Sequence, residues 1–259
     1  MNLQYEIDNF GIVGDKILRF CEEGGEFYLV LVLKRRKDTK GKMAEGVNED
    51  NRLIKHYFVY DKGYLEKKKD SIKSLCEQNN ARAYILPQRR DCRLALWALH
   101  DKISDTLKCG SMNVHFDHLI RSCVAGMHET PDKTYKRWVI DIDSDDNETR
   151  DLALGMFFPC PDSVTKVYAE WLAEMIRKAI VANVSNRPEE TEKFMPKRSR
   201  IFQMDDVVVL KTPHGFHIVT PPFNRDPKAM KVYFGDGCPK SEWIKPDAMA
   251  LLYAPGSVL

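Results

Sequence analysis

Several widely used sequence signatures are missing from this chain of 259 residues. It contains no GxGxxG, no GxxxxGK[ST] and no GxSxG, which argues against a dinucleotide-dependent enzyme, a P-loop ATPase and an α/β-hydrolase. None of its seven cysteines form a CxxC pair, and no apolar run reaches signal-peptide or membrane-spanning length. We therefore expect a cytoplasmic protein with reduced thiols and no membrane partner.

The chain also lacks a charge excess of either sign. Lysine and arginine number 40 against 38 aspartates and glutamates, which gives a net charge of +2. This balance excludes no class of partner, so the placement of the charges has to identify one. With 43% hydrophobic residues the chain can bury a core, and its length fits one large domain or two small ones.

Apolar β-rich segments predict strands along the whole chain. The first two form a hairpin with a long basic loop, and Pro87 is expected to end the third because proline cannot donate to a strand ladder. The predicted strands are 26–33, 56–60, 81–86, 138–143, 207–210, 216–220 and 250–253.

Amphipathic spacing predicts helices between these strands. They cover residues 65–79, begin again at Asp91 as an N-cap, and cover residues 163–182. Interleaved strands and helices predict an α+β fold, with mixed sheets and flanking helices. We expect two halves, 1–130 and 131–259, that form one composite domain.

Two aspartates end the predicted strand 138–143. Side chains alternate between the faces of a strand, so Asp141 and Asp143 point the same way while Ile140 and Ile142 face the core. Paired carboxylates repel each other unless a cation lies between them, and Mg²⁺ or Mn²⁺ takes oxygen ligands of this kind. The pair is therefore a candidate metal site.

Other interpretations of this acidic segment stay open. Asp145 and Asp146 follow closely, so a solvated turn after the strand also explains the pattern. An Asp-x-Asp motif of the sugar-transferase kind is a further alternative. A calcium loop is disfavoured because the glycine at the sixth position and the terminal glutamate are missing.

A turn rich in polar groups joins the predicted strands 207–210 and 216–220. Pro213 and Gly215 supply the turn, and the glycine lets a ligand approach the backbone closely. A lysine, a hydroxyl, two imidazoles and backbone amides together predict a polyphosphate cradle. The candidate nucleotide-binding residues are Lys211, Thr212, His214, Gly215 and His217. The alternative is an ordinary hairpin in which His217 is packed and hydrogen-bonded.

The two motifs together resemble the archaeo-eukaryotic primase superfamily, which includes viral primase-polymerases. In that family a strand ending in Asp-x-Asp precedes a strand-turn-strand that carries a small polar residue and a histidine. Residues 139–143 look like the first motif and residues 212–217 like the second, in the right order around a helix. Residues 80–90 are also similar to the segment before the first motif in phage-type members. The resemblance covers roughly two thirds of the chain.

This resemblance implies template-directed nucleotidyl transfer by a DNA primase or primase-polymerase, with an RRM-like catalytic half and an N-terminal α/β half. Asp141 and Asp143 would hold two divalent ions, Mg²⁺ or Mn²⁺, and His217 would contact the phosphates of the incoming nucleotide, assisted by Lys211 and Thr212. The implied partners are a single-stranded DNA template, nucleoside triphosphates and a helicase on a separate chain.

A third acid near the end of the catalytic core is the remaining signature of the family, and here the sequence departs from it. Glu242 and Asp247 are the candidates, with Glu242 preferred as the third catalytic acid. Neither lies in a hydrophobic strand ending in aspartate. Asp236 is interpreted as a turn residue.

Basic clusters supply candidate contacts to nucleic acid. If the fold brings them to one side of the acidic site, they would follow a phosphate backbone; otherwise they are solvated faces. The candidates are Arg89, Arg90, Lys197, Arg198 and Arg200.

Two further hypotheses accompany the leading one. The same carboxylates with His217 as acid or base would suit a metal-dependent phosphodiesterase or nuclease. A nucleic-acid-binding accessory protein could keep the fold without catalysis. A zinc site formed by Cys109, His115, His118 and Cys123 is disfavoured, because their spacing matches no common zinc pattern.

Overall fold

The structure is a computed structural model that describes residues 6–20, 24–35, 52–109, 136–143, 164–184, 203–246 and 248–256. The strands in these ranges are β1 (Ile7–Asp8), β2 (Glu26–Lys34), β3 (Arg52–Val59), β4 (Arg82–Asp91), β5 (Trp138–Asp143), β6 (Val208–Thr212), β7 (Gly215–Thr220), β8 (Ile244–Lys245) and β9 (Ala250–Ala254). The α-helices are α1 (Phe10–Ile12), α2 (Lys62–Asn79), α3 (Cys92–Lys108), α4 (Val164–Val184) and α5 (Pro227–Phe234), and a π-helix (Val13–Ile17) follows α1 directly.

These elements form a mixed α+β fold with two antiparallel sheets. The five-stranded sheet has the order β1-β9-β4-β2-β3, and the four-stranded sheet has the order β6-β7-β5-β8. Strand β9 comes from the end of the chain but lies between β1 and β4. The predicted halves 1–130 and 131–259 therefore share the five-stranded sheet.

The predicted hairpin, the predicted helices and the end of β4 can each be compared with the structure. Strands β2 and β3 pair as an antiparallel hairpin, as expected. Helices α2 and α3 are capped by the preceding Asp61 and Asp91, whose carboxylates accept hydrogen bonds from backbone N–H groups at the third helical positions. The prediction that Pro87 ends its strand is wrong, because β4 continues to Asp91. Pro87 lies where the register with β2 shifts, and at such an irregularity a residue need not donate to the ladder.

The four-stranded sheet has two distinct faces. On one face Ile140, Ile142 and Ile218 pack under α4, against its buried Tyr168 and Leu172. The opposite face carries Val139, Val208, Leu210 and Val219, which join the core of the five-stranded sheet. Alternation along the strands therefore gives both faces an apolar contact, and the sheet is held between α4 and the other sheet.

Two buried amides tie the sheets together. The Nδ2 group of Asn9 donates to the carbonyl oxygens of Lys211 on β6 and Leu251 on β9, at 3.0 Å each. The Nε2 group of Gln88 on β4 donates to the carbonyl oxygen of Arg137 at 2.7 Å and to that of Pro246. Because buried backbone acceptors are costly to leave unpaired, these amides fix the sheets beside each other at the place where the site lies.

Candidate functional site

Strand β5 presents its two aspartates on the face opposite the buried isoleucines. Ile140 and Ile142 are fully buried in the core under α4, whereas Asp141 and Asp143 are half-buried. Both carboxylates line one cavity. The two-residue period of the strand therefore brings the predicted pair to a ligand-accessible surface.

Strand β7 runs directly beside β5 and aligns His217 with Asp141 and Gly215 with Asp143. A Cβ atom on Gly215 would overlap the backbone carbonyl oxygen of Ile142. The glycine is therefore needed because the neighbouring strand comes close to it, and not, as its sequence context predicts, because a ligand does.

His217 is held at both of its ring nitrogens. The backbone N–H of Leu251 donates to Nδ1 at 3.0 Å, and Nε2 lies 3.3 Å from Oδ1 of Asp141. A backbone N–H can only donate, so Nδ1 must accept and the ring proton must lie on Nε2, where it points to the carboxylate. The imidazole of His217 therefore orients Asp141.

Lys245 on β8 contacts the same carboxylate from the other side. Strand β8 pairs with β5 so that Lys245 aligns with Val139, and its side chain reaches Asp141, where Nζ lies 2.7 Å from Oδ2. Lys245 was not among the predicted site residues. A strand of two residues is too short to show a period, so no pattern could have placed Lys245 beside Asp141.

The environment of Asp141 favours its ionised form. Burial opposes ionisation, but the interaction with His217 and then the hydrogen bond and charge of Lys245 outweigh it, and they hold the pKa of Asp141 well below its usual range. The carboxylate is therefore charged at neutral pH.

The cavity beside these groups has a volume of ≈ 200 Å³ and receives residues from both sheets. Its ionisable lining includes Arg35 and Arg82 of the five-stranded sheet region together with Lys245, against Asp141 and Asp143. Three cationic side chains and two carboxylates leave an excess of positive charge, which favours an anionic ligand. Pockets that enclose a whole small molecule typically have about 300–1,000 Å³, so this cavity suits a phosphate-sized part of a ligand.

The predicted nucleotide-binding residues divide between two sides of the four-stranded sheet. Thr212, His214 and His217 line the cavity. Lys211 does not, because it follows Leu210 on β6 and alternation turns its side chain to the opposite, exposed side. Its backbone carbonyl instead accepts a hydrogen bond from Asn9.

The preferred third acid does not reach the site. Glu242 is exposed in the single helical turn 241–243 ahead of β8 and is absent from the lining of the cavity. Asp236 is likewise exposed, in the turn 235–237 where the sequence analysis expected it. Asp247 lies outside the described residues. Among the residues of this segment that the structure describes, Lys245, of opposite charge, contacts Asp141.

The donor set fits a divalent ion of the Mg²⁺ or Mn²⁺ type. Asp141 and Asp143 provide oxygen ligands on one face of β5, and Asp141 is ionised. In the described part of the chain no group of three or more His, Cys, Asp or Glu side chains could hold a metal. Mg²⁺ is commonly bound by one or two carboxylates together with the phosphates of a substrate, and such a site needs no third protein acid.

The predicted basic contacts require a correction at Arg89 and Arg90, which are both buried. Arg89 pairs with Glu26, with Nη1 2.8 Å from Oε2, and Arg90 donates to the side-chain oxygen of Gln88 at 3.4 Å. They therefore do not form an exposed basic patch. Lys197, Arg198 and Arg200 lie outside the described residues.

The cysteine–histidine series is largely outside the described residues. Cys109 is exposed at the end of α3, while His115, His118 and Cys123 are not described.

A larger concavity of ≈ 570 Å³ lies against the start of α3, with Trp97 in its lining. The carboxylate in its lining belongs to Asp91, which already accepts the capping hydrogen bond of α3. This concavity therefore lacks the pair of carboxylates that lines the cavity at Asp141.

Comparison with protein-family models, with curated proteins and with solved structures finds no match to this chain. Among the helices that the structure describes, none combines the length and apolarity needed to cross a membrane. The function therefore has to be argued from the site itself.

Proposed function

We propose that this chain is a catalytic core of the primase-polymerase type, which transfers nucleotides from NTPs or dNTPs to a growing strand on a single-stranded DNA template. The observation that carries the proposal is the pairing of Asp141 on β5 with His217 on the adjacent strand β7, inside a positively charged cavity. This is the juxtaposition of an Asp-x-Asp strand with a histidine strand that the sequence resemblance leads one to expect.

The topology of the four-stranded sheet supports the same proposal. In the described ranges its elements follow the order β5-α4-β6-β7-α5-β8, and its strands are arranged as β6-β7-β5-β8. A β-α-β-β-α-β unit with its first and third strands at the centre is the split β-α-β arrangement, to which RRM-like domains belong. Both site strands, β5 and β7, occupy these central positions, as an RRM-like catalytic half requires.

The side chains of the cavity suit the binding of a metal–triphosphate. Asp141 and Asp143 would hold Mg²⁺ or Mn²⁺, an ion that activates the attacking hydroxyl and neutralises phosphate charge when bound. His217 keeps Asp141 oriented through its Nε2 proton. Thr212 and His214 offer hydrogen bonds to phosphate oxygens from the turn, and Arg35 and Arg82 add positive charge from the opposite wall. The cavity is the size of a phosphate group, so the sugar and base of a nucleotide would extend beyond it.

A nuclease is less well supported than a primase-polymerase. Nδ1 of His217 already accepts a hydrogen bond from the backbone, and its Nε2 proton points to Asp141. Neither nitrogen is then available to take a proton from water or to give one to a leaving group. The histidine fits a positioning role better than that of general acid or base, and better than the phosphate contact that the resemblance implies for it.

A catalytically inactive nucleic-acid-binding protein is a second candidate, and one observation favours it. Lys245, which aligns with Val139 on β5, places its ammonium group 2.7 Å from Asp141, whereas the preferred third acid, Glu242, is absent from the lining of the cavity. A lysine there attracts anions as well as opposing a metal ion. If Lys245 stayed on the Asp141 carboxylate, no metal ion could bind there, and the protein would bind nucleic acid without catalysing nucleotidyl transfer.

A primer-synthesis assay tests the proposal. The protein is incubated with single-stranded DNA, labelled nucleoside triphosphates and Mg²⁺ or Mn²⁺, beside the double variant Asp141→Asn/Asp143→Asn. The matched control is Asp205→Asn, an exposed aspartate paired with Lys16 and absent from the lining of the cavity. We expect template-dependent products from the natural protein and the control, and a loss of at least a hundredfold in the double variant. Shortened template without synthesis would point to the nuclease, and template binding without any chemistry would point to the accessory protein.

A further inference from the structure

The two oxygens of Asp141 receive different partners. Oδ1 lies 3.3 Å from Nε2 of His217, and Oδ2 lies 2.7 Å from Nζ of Lys245. Lys245 reaches across from the neighbouring strand β8, where its partner in the register is Val139, on the same face of β5 as Asp141. The carboxylate is therefore held between a neutral donor and a full positive charge.

His217 and Lys245 have different effects on the binding of a metal ion at Asp141. Each carboxylate oxygen has more than one lone pair, so the neutral N–H of His217 can stay in place while a metal binds. An ammonium group at 2.7 Å competes for the same negative charge and repels a divalent cation at close range. Lys245 therefore opposes metal binding at Asp141, whereas His217 does not.

Lys245 is also able to leave. The side chains of Lys245 and Asp141 are 48% and 38% exposed, so breaking their contact strands neither charge in the interior. Both residues line the cavity whose excess positive charge suits phosphate. A displaced ammonium group on a long, flexible side chain can therefore turn from the carboxylate to an incoming anion without leaving the cavity.

We propose that Lys245 is a positioning residue that competes with the divalent ion for Asp141 and moves to the phosphates when a metal–triphosphate binds. This inference rests on the proposed function, because it assumes that Asp141 and Asp143 are metal ligands. Its consequence is coupling: the triphosphate stabilises the displaced lysine, so metal and triphosphate bind more tightly together than apart.

Direct measurement of Mn²⁺ binding tests this competition without relying on catalysis. Free Mn²⁺ is followed by electron paramagnetic resonance during titration of the natural protein, Lys245→Met and Lys245→Arg. The control is Lys228→Met, which removes the same charge from an exposed position on α5, a helix packed on the other face of the sheet. We expect Lys245→Met to bind Mn²⁺ about five- to tenfold more tightly, while Lys245→Arg and Lys228→Met stay within about twofold of the natural protein.

A second titration, with a non-hydrolysable nucleoside triphosphate present, measures the coupling. We expect the analogue to tighten Mn²⁺ binding more in the natural protein than in Lys245→Met. Lys245→Gln, which keeps a polar side chain, should behave like Lys245→Met and serves if the methionine variant folds poorly.

The outcomes separate the two proposals when Asp141→Asn/Asp143→Asn is titrated alongside. Binding that requires the aspartates and tightens in Lys245→Met supports the competition. Binding that requires the aspartates but has the same affinity in every lysine variant overturns the role of Lys245 and leaves the proposed function standing. If Asp141→Asn/Asp143→Asn binds Mn²⁺ as tightly as the natural protein, the two aspartates are not metal ligands, and both the proposed function and the role of Lys245 are overturned.

Discussion

Two carboxylates of this protein, Asp206 and Asp141, are paired with cations in different ways. Asp206 pairs with Arg137 at 2.7 Å, and their side chains are 12% and 2% exposed. Its other oxygen accepts the backbone N–H of Gln203 at 2.8 Å, and Arg137 also donates to the backbone carbonyl of Asp206. Asp141 pairs at the same distance with Lys245, but both side chains are more than one third exposed and line a cavity.

We call the Asp206–Arg137 ion pair closed, because both side chains are buried, and the Asp141–Lys245 ion pair open, because both side chains are partly exposed in a cavity. At Asp206 the guanidinium and the backbone satisfy the carboxylate inside the protein, so the pair can hold the chain around β5 and β6 but has nothing to offer a ligand. At Asp141 the partner is a lysine, a mobile point charge, and the surroundings admit an anion or a metal. The two ion pairs have the same N–O distance, but they differ in burial and in the type of cation, and these two properties decide whether the carboxylate is accessible to a ligand.

The largest effect on stability is expected when the closed pair is broken. Arg137→Met leaves the carboxylate of Asp206 buried without its counter-ion, and such a change typically costs about 3–5 kcal/mol of unfolding free energy. Lys245→Met is the matched change at the open pair, and it should cost less than about 1 kcal/mol. Urea unfolding followed by circular dichroism measures both. Similar losses in the two variants would contradict the distinction.

A smaller loss is expected at Gly215, where β7 comes close to β5 and sets the alignment of His217 with Asp141. In Gly215→Ala the new Cβ overlaps the Ile142 carbonyl, so the strands must separate, at about 1–3 kcal/mol. Gly14→Ala is the control, because a Cβ there meets no atom within 4 Å. Thermal unfolding compares the variants, and an unchanged melting temperature for Gly215→Ala would show that the strands lie further apart.

The smallest expected effect is the loss, at low pH, of the stability that the ionised Asp141 contributes. The pKa of Asp141 is lowered in the folded protein, so its contribution to stability is present above the unfolded pKa, which is about 3.9, and is lost as the pH falls through the lower folded value. The difference in unfolding free energy between the natural protein and Asp141→Asn should be steady from about pH 7 to pH 5 and shrink below about pH 4. The control is Asp205→Asn, at a surface ion pair that contributes little. A difference that grows toward low pH would have the wrong sign for this account.

Much of the local structure could be predicted because it depends on nearby residues. The period of the strand ending at Asp143 puts its aspartates on one face, and the turn at Pro213 joins the two strands as expected. Asp91 begins a helix because its side chain reaches the third helical N–H, a contact within four residues. These features follow from alternation, turn chemistry and capping.

The parts that the sequence could not supply depend on contacts between distant segments. Lys245 meets Asp141 across 104 positions, and β8 is too short to show a pattern. Arg89 and Arg90 look like a surface cluster, yet the long-range pairing of β4 with β2 buries them and brings Glu26 to Arg89. Alternation gives the face of a residue but not the strand that lies beside it, so the sequence did not reveal that Lys245 lies next to Asp141.

The most direct test is a crystal structure of the protein grown with Mn²⁺ and a non-hydrolysable nucleoside triphosphate, with the manganese located by anomalous scattering. The account predicts a manganese peak within about 2.1–2.2 Å of carboxylate oxygens of Asp141 and Asp143, shared with the phosphates, and Nζ of Lys245 moved from Asp141 to a phosphate oxygen. Manganese bound elsewhere, or a nucleotide bound with Lys245 still on Asp141 and no metal beside it, would contradict it.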